Sequence, residues 1–189
     1  TFVVFFAVVL ALHWTLRSWS ARKNVLLAAS YIFYGAWNPP FVLLLMFSSV
    51  LDFYLGLKMG TAERPAARRG WLMVSLISNL GLLGFFKYGN FMLDNFQWLV
   101  ARFGIDYHPA HLDIVLPVGI SFYTFQSLTY TLDVYRGDLK PTRSLRDFAF
   151  FVAFFPQLVA GPIVRAVDFI PQCDGPAPFR AGRMQWGFF

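Results

Sequence analysis

Charged residues are the scarcest class in this sequence. They make up 14% of its 189 residues, where an ordinary soluble domain carries about a quarter, and so little polar surface cannot clothe a soluble globule. Cysteine is nearly missing. Cys173 stands alone, which excludes an internal disulfide and any cysteine-held metal cluster. Histidine occurs only as His13, His108 and His111, and no tandem repeat or low-complexity tract is visible. In their place the chain is 57% hydrophobic and 20% aromatic, with 23 Phe spread along its whole length, and its mean hydropathy is +0.53. That combination excludes a disordered or fibrous chain and a soluble domain with one greasy anchor. A multi-span membrane protein is what remains.

The basic balance, +6 with an isoelectric point near 9.7, would suit a nucleic-acid binder if the cations were clustered on one surface. They stand instead between apolar runs, where they set topology. Eleven of the 16 Lys and Arg fall in the turns 17–23, 58–70 and 136–146. The turns 38–40 and 87–113, on the alternate side, hold only Lys87 and Arg102. The positive-inside rule makes the first three turns cytoplasmic. No nucleic-acid partner is expected; the partner implied is a lipid bilayer.

A membrane-crossing helix needs about 20 apolar residues, and about 17 suffice. The runs 1–16, 25–37, 41–57, 71–86 and 114–135 approach that length, and 148–164 is apolar but interrupted by Pro156, Gly161 and Pro162. The prediction is an all-α, multi-pass transmembrane helical bundle of about five spans. The amphipathic stretch 88–103 either lies at the interface or extends the fourth helix. The last run either crosses, which would put Arg165, Arg180 and Arg183 outside against the rule, or re-enters and returns them to the cytoplasmic side; the second is favoured. The chain opens at Thr1 inside an apolar run and stops at Trp186, Gly187, Phe188 and Phe189, on what reads as the start of another apolar element. It is therefore expected to be the front part, 1–189, of one longer membrane domain.

Two acids lie inside apolar runs, where a charge is a functional-site hypothesis by default. Asp133 precedes Arg136 at the i, i+3 spacing of a helical pair, and Asp52 precedes Lys58 by about a turn and a half. Anchoring through those neighbours is the simpler expectation. The run 114–135 carries Pro117, Gly119, Ser121, Tyr123, Thr124, Gln126, Ser127, Thr129, Tyr130 and Thr131. Such a helix either packs inside a bundle through interhelical hydrogen bonds or lines a cavity. His13 suits packing beside Trp14, while His108 and His111 around Pro109 are a poor metal set, so no metal is expected. No nucleophile-elbow arrangement of Ser, His and Asp is present. Gly56 and Gly60 have helix-packing spacing, but Lys58 between them places the pair at the membrane edge.

Longer stretches say more. The segments 116–137, LPVGISFYTFQSLTYTLDVYRG, and 154–165, FFPQLVAGPIVR, closely resemble segments of the membrane-bound O-acyltransferase (MBOAT) family, its bacterial alginate O-acetyltransferase subgroup in particular. ASYIFYGAW at 29–37, DFYLGLK at 52–58 and FFKYGNF at 85–91 support the match in the family's order. The resemblance implies short, tilted and re-entrant helices around a tunnel. It implies transfer of an acyl group from a cytoplasmic thioester, acetyl-CoA in this subgroup, towards hydroxyls of an exported polysaccharide, completed by periplasmic O-acetylation proteins. It also implies a key histidine in a later helix, so no catalytic residue is assigned among residues 1–189 and no bound cofactor is expected. Residues that match the family motifs, and so could line the donor or acceptor path, are Tyr123, Gln126, Pro156, Gln157, Gly161, Pro162 and Arg165. D-alanyl or peptidoglycan acyl transfer on the same frame is the alternative within the family. A secondary transporter or a purely structural subunit is the alternative outside it, although the paired interrupted segments of a transporter are not seen.

Overall fold

The structure, a computed structural model, describes residues 2–107, 110, 113–158 and 161–175. Every regular element among them is helical. Helix α1 is Phe2–Thr15, α2 is Trp19–Gly35, α3 is Pro40–Thr61, α4 is Pro65–Ala101 and α5 is Ile120–Arg136. The short helices α6, Leu145–Ala153, α7, Phe155–Leu158, and α8, Ala166–Phe169, follow, and a 3-10 turn covers Ile170–Cys173. His108 and His111, the poor metal set, and Pro109 between them, with Arg180, Arg183 and the apolar end, lie outside the described residues.

Prolines and glycines set most boundaries. Pro40 and Pro65 open α3 and α4 at the first helical position, where a missing N–H is harmless. Pro117 and Gly119 keep the start of the fifth run non-helical. Gly119, at φ 75° and ψ 2°, takes the values a type II turn needs at its third residue, and Ile120 N–H closes that turn on Pro117 O at 3.2 Å. At the other end Gly137, at φ 87°, lets the amide of Asp138 return to Asp133 O at 2.9 Å, a Schellman-type stop.

Two helices, α3 and α4, are long and apolar enough to cross a membrane. Of the other runs expected to span, α1 is an apolar helix of 14 residues, and α2 and α5 have 17 each. The amphipathic stretch 88–103 continues α4, which reaches 37 residues, about 55 Å at 1.5 Å per residue. No Gly or Pro signal strong enough to stop it occurs before Ala101. The buried positions of α4, Leu72, Ser75, Asn79 and Leu83, form a single stripe facing α3 and α5.

The three basic turns share one end of the fold. Arg146 donates to Ser20 Oγ at 2.6 Å, Lys23 pairs with Asp147 at 2.6 Å, and Arg68 donates to Val134 O at 2.7 Å. Gly60 also meets Pro141 so closely that a Cβ there would overlap its ring. At the opposite end Asn38, Phe41, Phe86, Asp113 and Ile114 surround one cavity of about 420 Å³.

Candidate functional site

The run 148–164 does not form one helix. In a continuous helix Pro156 would bond its N–H to Val152 O, but it has none, and Phe154 at φ −55° and ψ 107° ends α6. Helix ends leave their last carbonyls free, and here two glutamines take one of them. Gln126 Nε2 donates to Phe151 O at 2.6 Å and Gln157 Nε2 donates to the same oxygen at 3.3 Å. Two motif residues thus converge on the break from opposite sides. Gly161 is the third, because a Cβ there would lie 2.5 Å from Gln157 Cα. Its N–H closes the turn on Gln157 O at 3.0 Å.

The chain then returns to where it started. Lys23 Nζ, on α2, donates to Asp147 Oδ1 at 2.6 Å and to Cys173 O at 2.9 Å. The two feet of the segment between those residues therefore stand side by side. Inside it the Phe169 ring packs against Phe150, Phe151 and Phe154 at 5.5–5.7 Å between centroids. Phe155 N–H donates to Ser30 Oγ at 3.1 Å, with its ring against Phe5 and Phe33. Arg165 reaches α5 and donates from Nη2 to Asp133 Oδ1 at 2.6 Å. The partner expected for Asp133 was Arg136; the structure gives Arg165 instead, because the last turn of α5 points Asp133 at the returning segment.

Electrostatics differ at the two feet. Burial raises the Asp147 carboxyl, but hydrogen bonds from Lys23 and Ser144 and the Lys23 charge outweigh it and hold the group below its ordinary range. Burial, reinforced by the Asp147 charge, pushes the Cys173 thiol up to about 11, so it is a protonated, buried side chain at neutral pH. Arg165 is raised by its hydrogen bond to Asp133.

The remaining motif residues occupy separate places. Tyr123 is buried and meets Tyr34 edge to face at 6.4 Å between rings; among the described residues neither hydroxyl has a hydrogen bond within 3.5 Å. Pro156 and Pro162 are exposed, and Pro156 lines an apolar cavity of about 210 Å³ with Phe6, His13 and Phe155. His13 is packed edge-on to Trp14 and Trp19. Among the described residues no three His, Cys, Asp or Glu come together to hold a metal.

A polar cluster that local spacing missed sits between α3, α4 and α5. Asp52 is fully buried and its partners are not Lys58 but two residues of α4: Ser75 Oγ donates to Oδ1 at 2.7 Å, and Asn79 Nδ2 donates to both oxygens at 3.0 and 2.8 Å. Ser75 Oγ also lies 3.3 Å from Thr131 Oγ1 on α5, and Ser127 stands beside the same carboxylate. Ser75 and Asn79 are i, i+4 on one helix face, a pattern visible in the sequence, but only a partner helix gives it meaning. Lys23, read as a topology cation, is also a buried tertiary contact.

No family profile and no solved structure matches the chain. Curated proteins do. A Pseudomonas aeruginosa protein named probable alginate O-acetylase AlgI is 45% identical over 153 residues, covering 80% of this chain and 29% of that protein. Its Azotobacter vinelandii namesake is 43% identical over 153 residues, 80% of this chain and 30% of its own length. A Helicobacter pylori peptidoglycan O-acetyltransferase is 36% identical over 174 residues, 79% of this chain and 32% of its own. The chain thus spans under a third of the length of these relatives. Over that span it is similar to these bacterial O-acetylases, in keeping with its resemblance to the membrane-bound O-acyltransferases.

Proposed function

We propose that the whole protein to which these residues belong is a multi-pass O-acyltransferase of the bacterial inner membrane. It moves an acetyl group from a cytoplasmic thioester donor, acetyl-coenzyme A, towards hydroxyls of an exported polysaccharide such as alginate. The observation that carries this reading is the identity of 45% to a named alginate O-acetylase across most of the chain. The gathering of the turns 17–23, 58–70 and 136–146 at one end of the fold supports a cytoplasmic assignment for that end. The returning segment supports re-entrance: both feet are held at the basic end, and non-helical backbone at depth is tolerable where other protein groups satisfy it. Gln126, Gln157 and Ser30 do so here.

In such a transfer a base must take the hydroxyl proton as oxygen attacks the thioester carbonyl. The resemblance to the membrane-bound O-acyltransferases implies that this base is a histidine of a later helix. Gln126, Gln157 and Gly161 are positioning residues that fix the broken helix beside α5. Periplasmic partner proteins complete the transfer onto the polymer.

The test is complementation. In a strain lacking its own enzyme, expression of the whole protein restores polymer-bound acetate, and unchanged acetate overturns the reading. Residues 1–189 alone show no turnover. The similarity to the peptidoglycan O-acetyltransferase favours a second acceptor, and acetate found on glycan strands in place of the exported polysaccharide decides for it.

A further inference from the structure

We infer that the cleft between the α3–α4 turn and the end of α5 is a binding site for a phosphate group. This cleft, about 390 Å³, is lined by Glu63, Pro65, Arg68, Arg69, Tyr135 and Arg136. Three guanidinium groups face one carboxylate there, and no described carboxylate forms an ion pair with any of the three arginines. So much like charge gathered in one cleft repels itself until an anion enters.

Arg68 is already oriented for the task. Its Nη2 is tied to Val134 O at 2.7 Å, and its guanidinium lies 5.7 Å from the centre of the Tyr135 ring. Its Nε is buried with no acceptor, an uncommon state for a cationic donor. A planar guanidinium held in place presents a fork that matches phosphate oxygens.

The start of α4 adds its dipole to the cleft and no further donor. Pro65, which lines the cleft at the first helical position, has no N–H, and the Arg68 N–H is already bonded to Arg64 O at 3.1 Å. The positive end of the helix dipole favours an anion there. Arginines and helix end converge on one cleft at the end of the fold where headgroups and soluble nucleotides are both accessible. The phosphate has two sources: an anionic phospholipid headgroup, or the phosphates of the nucleotide part of the thioester donor. The second source rests on the acyl-transfer reading. Binding alone is measured, so failure of the site and failure of that reading show up in different experiments.

The test uses the whole protein in phosphatidylcholine nanodiscs, titrated calorimetrically with coenzyme A, and in nanodiscs containing phosphatidylglycerol, with retained lipid counted by native mass spectrometry. The variant R69A/R136A removes two cations whose side chains make no hydrogen bond among the described residues, so its melting temperature should stay that of the parent. Loss of about tenfold or more in coenzyme A affinity with lipid retention unchanged assigns the site to the nucleotide. Loss of retained phosphatidylglycerol with coenzyme A affinity unchanged assigns it to the headgroup. E63Q, which removes the opposing charge, tightens whichever ligand is lost, a direction misfolding does not produce. If neither probe responds to R69A/R136A or to E63Q, the site is wrong.

Discussion

Helix α5 buries Gln126, Ser127, Thr131 and Asp133, whereas its neighbour α4 turns Ile77, Leu80, Phe91 and Trp98 outward. In a water-soluble protein the assignments would be reversed. The most polar long helix here is the most enclosed, while the 37-residue α4 has only four buried positions. The difference teaches where hydrogen bonding decides structure: inside, where Asp52, Ser75, Asn79 and Thr131 join three helices, while the outer face asks only for apolar surface. Such an inversion suits hydrocarbon as the surrounding medium, where apolar contact gives no preference for the interior and polar groups must find partners within the protein.

Substitutions can break that contrast, and the largest effect is expected where a buried charge loses its partner. Lys23→Met leaves Asp147 with only the longer Arg146 contact at 3.4 Å and should cost about 3–4 kcal/mol, read as a lower melting temperature in detergent. A charge on the outer face comes next. Ile77→Lys, at a position 66% exposed, should disfavour insertion by about 2.5–3.5 kcal/mol, measured as a reduced membrane-integrated fraction. In water the same change would be nearly neutral. Asn79→Leu removes the donor to both Asp52 oxygens and should cost about 1.5–3 kcal/mol; an equal effect from Ile77→Leu would erase the distinction between the two faces. Ile77→Leu itself should stay within about 0.5 kcal/mol.

The smallest expected effect is a pH dependence at the foot of α6. Because the Asp147 carboxyl is depressed in the folded protein, its contribution is complete above the ordinary value of 3.8 and is lost as pH falls below that through the depressed one. Melting temperature should therefore drop on acidification below about pH 4, and Lys23→Met should flatten that drop.

Much of this architecture was legible along the chain. Cations between apolar runs marked the turns that gather at one end, Pro117 with Gly119 marked the late start of α5, and Pro156 with Gly161 marked the broken segment. Backbone chemistry of this kind is local, so the sequence displays it. Partner choice is not. The i, i+3 spacing suggested Arg136 for Asp133, yet a guanidinium 32 residues away holds it, and Asp52 looks across to α4 in place of along its own helix. The stretch after Lys87 kept enough helix formers and lacked a stop, so α4 ran on where composition alone left two outcomes open. Among the motif residues, Gln126 and Gln157 share the Phe151 carbonyl and the Gly161 N–H takes that of Gln157, while Tyr123 packs against Tyr34, an arrangement no spacing rule contains.

The ammonium of Lys23 has a mechanical consequence. By gripping Asp147 and the Cys173 carbonyl, which Trp19 Nε1 also reaches at 2.8 Å, it closes the intervening chain into an arch with both feet on α2. Drawing Lys23 away loosens both feet at once, leaving Trp19 to hold one and the Arg146 bond to Ser20 to hold the other.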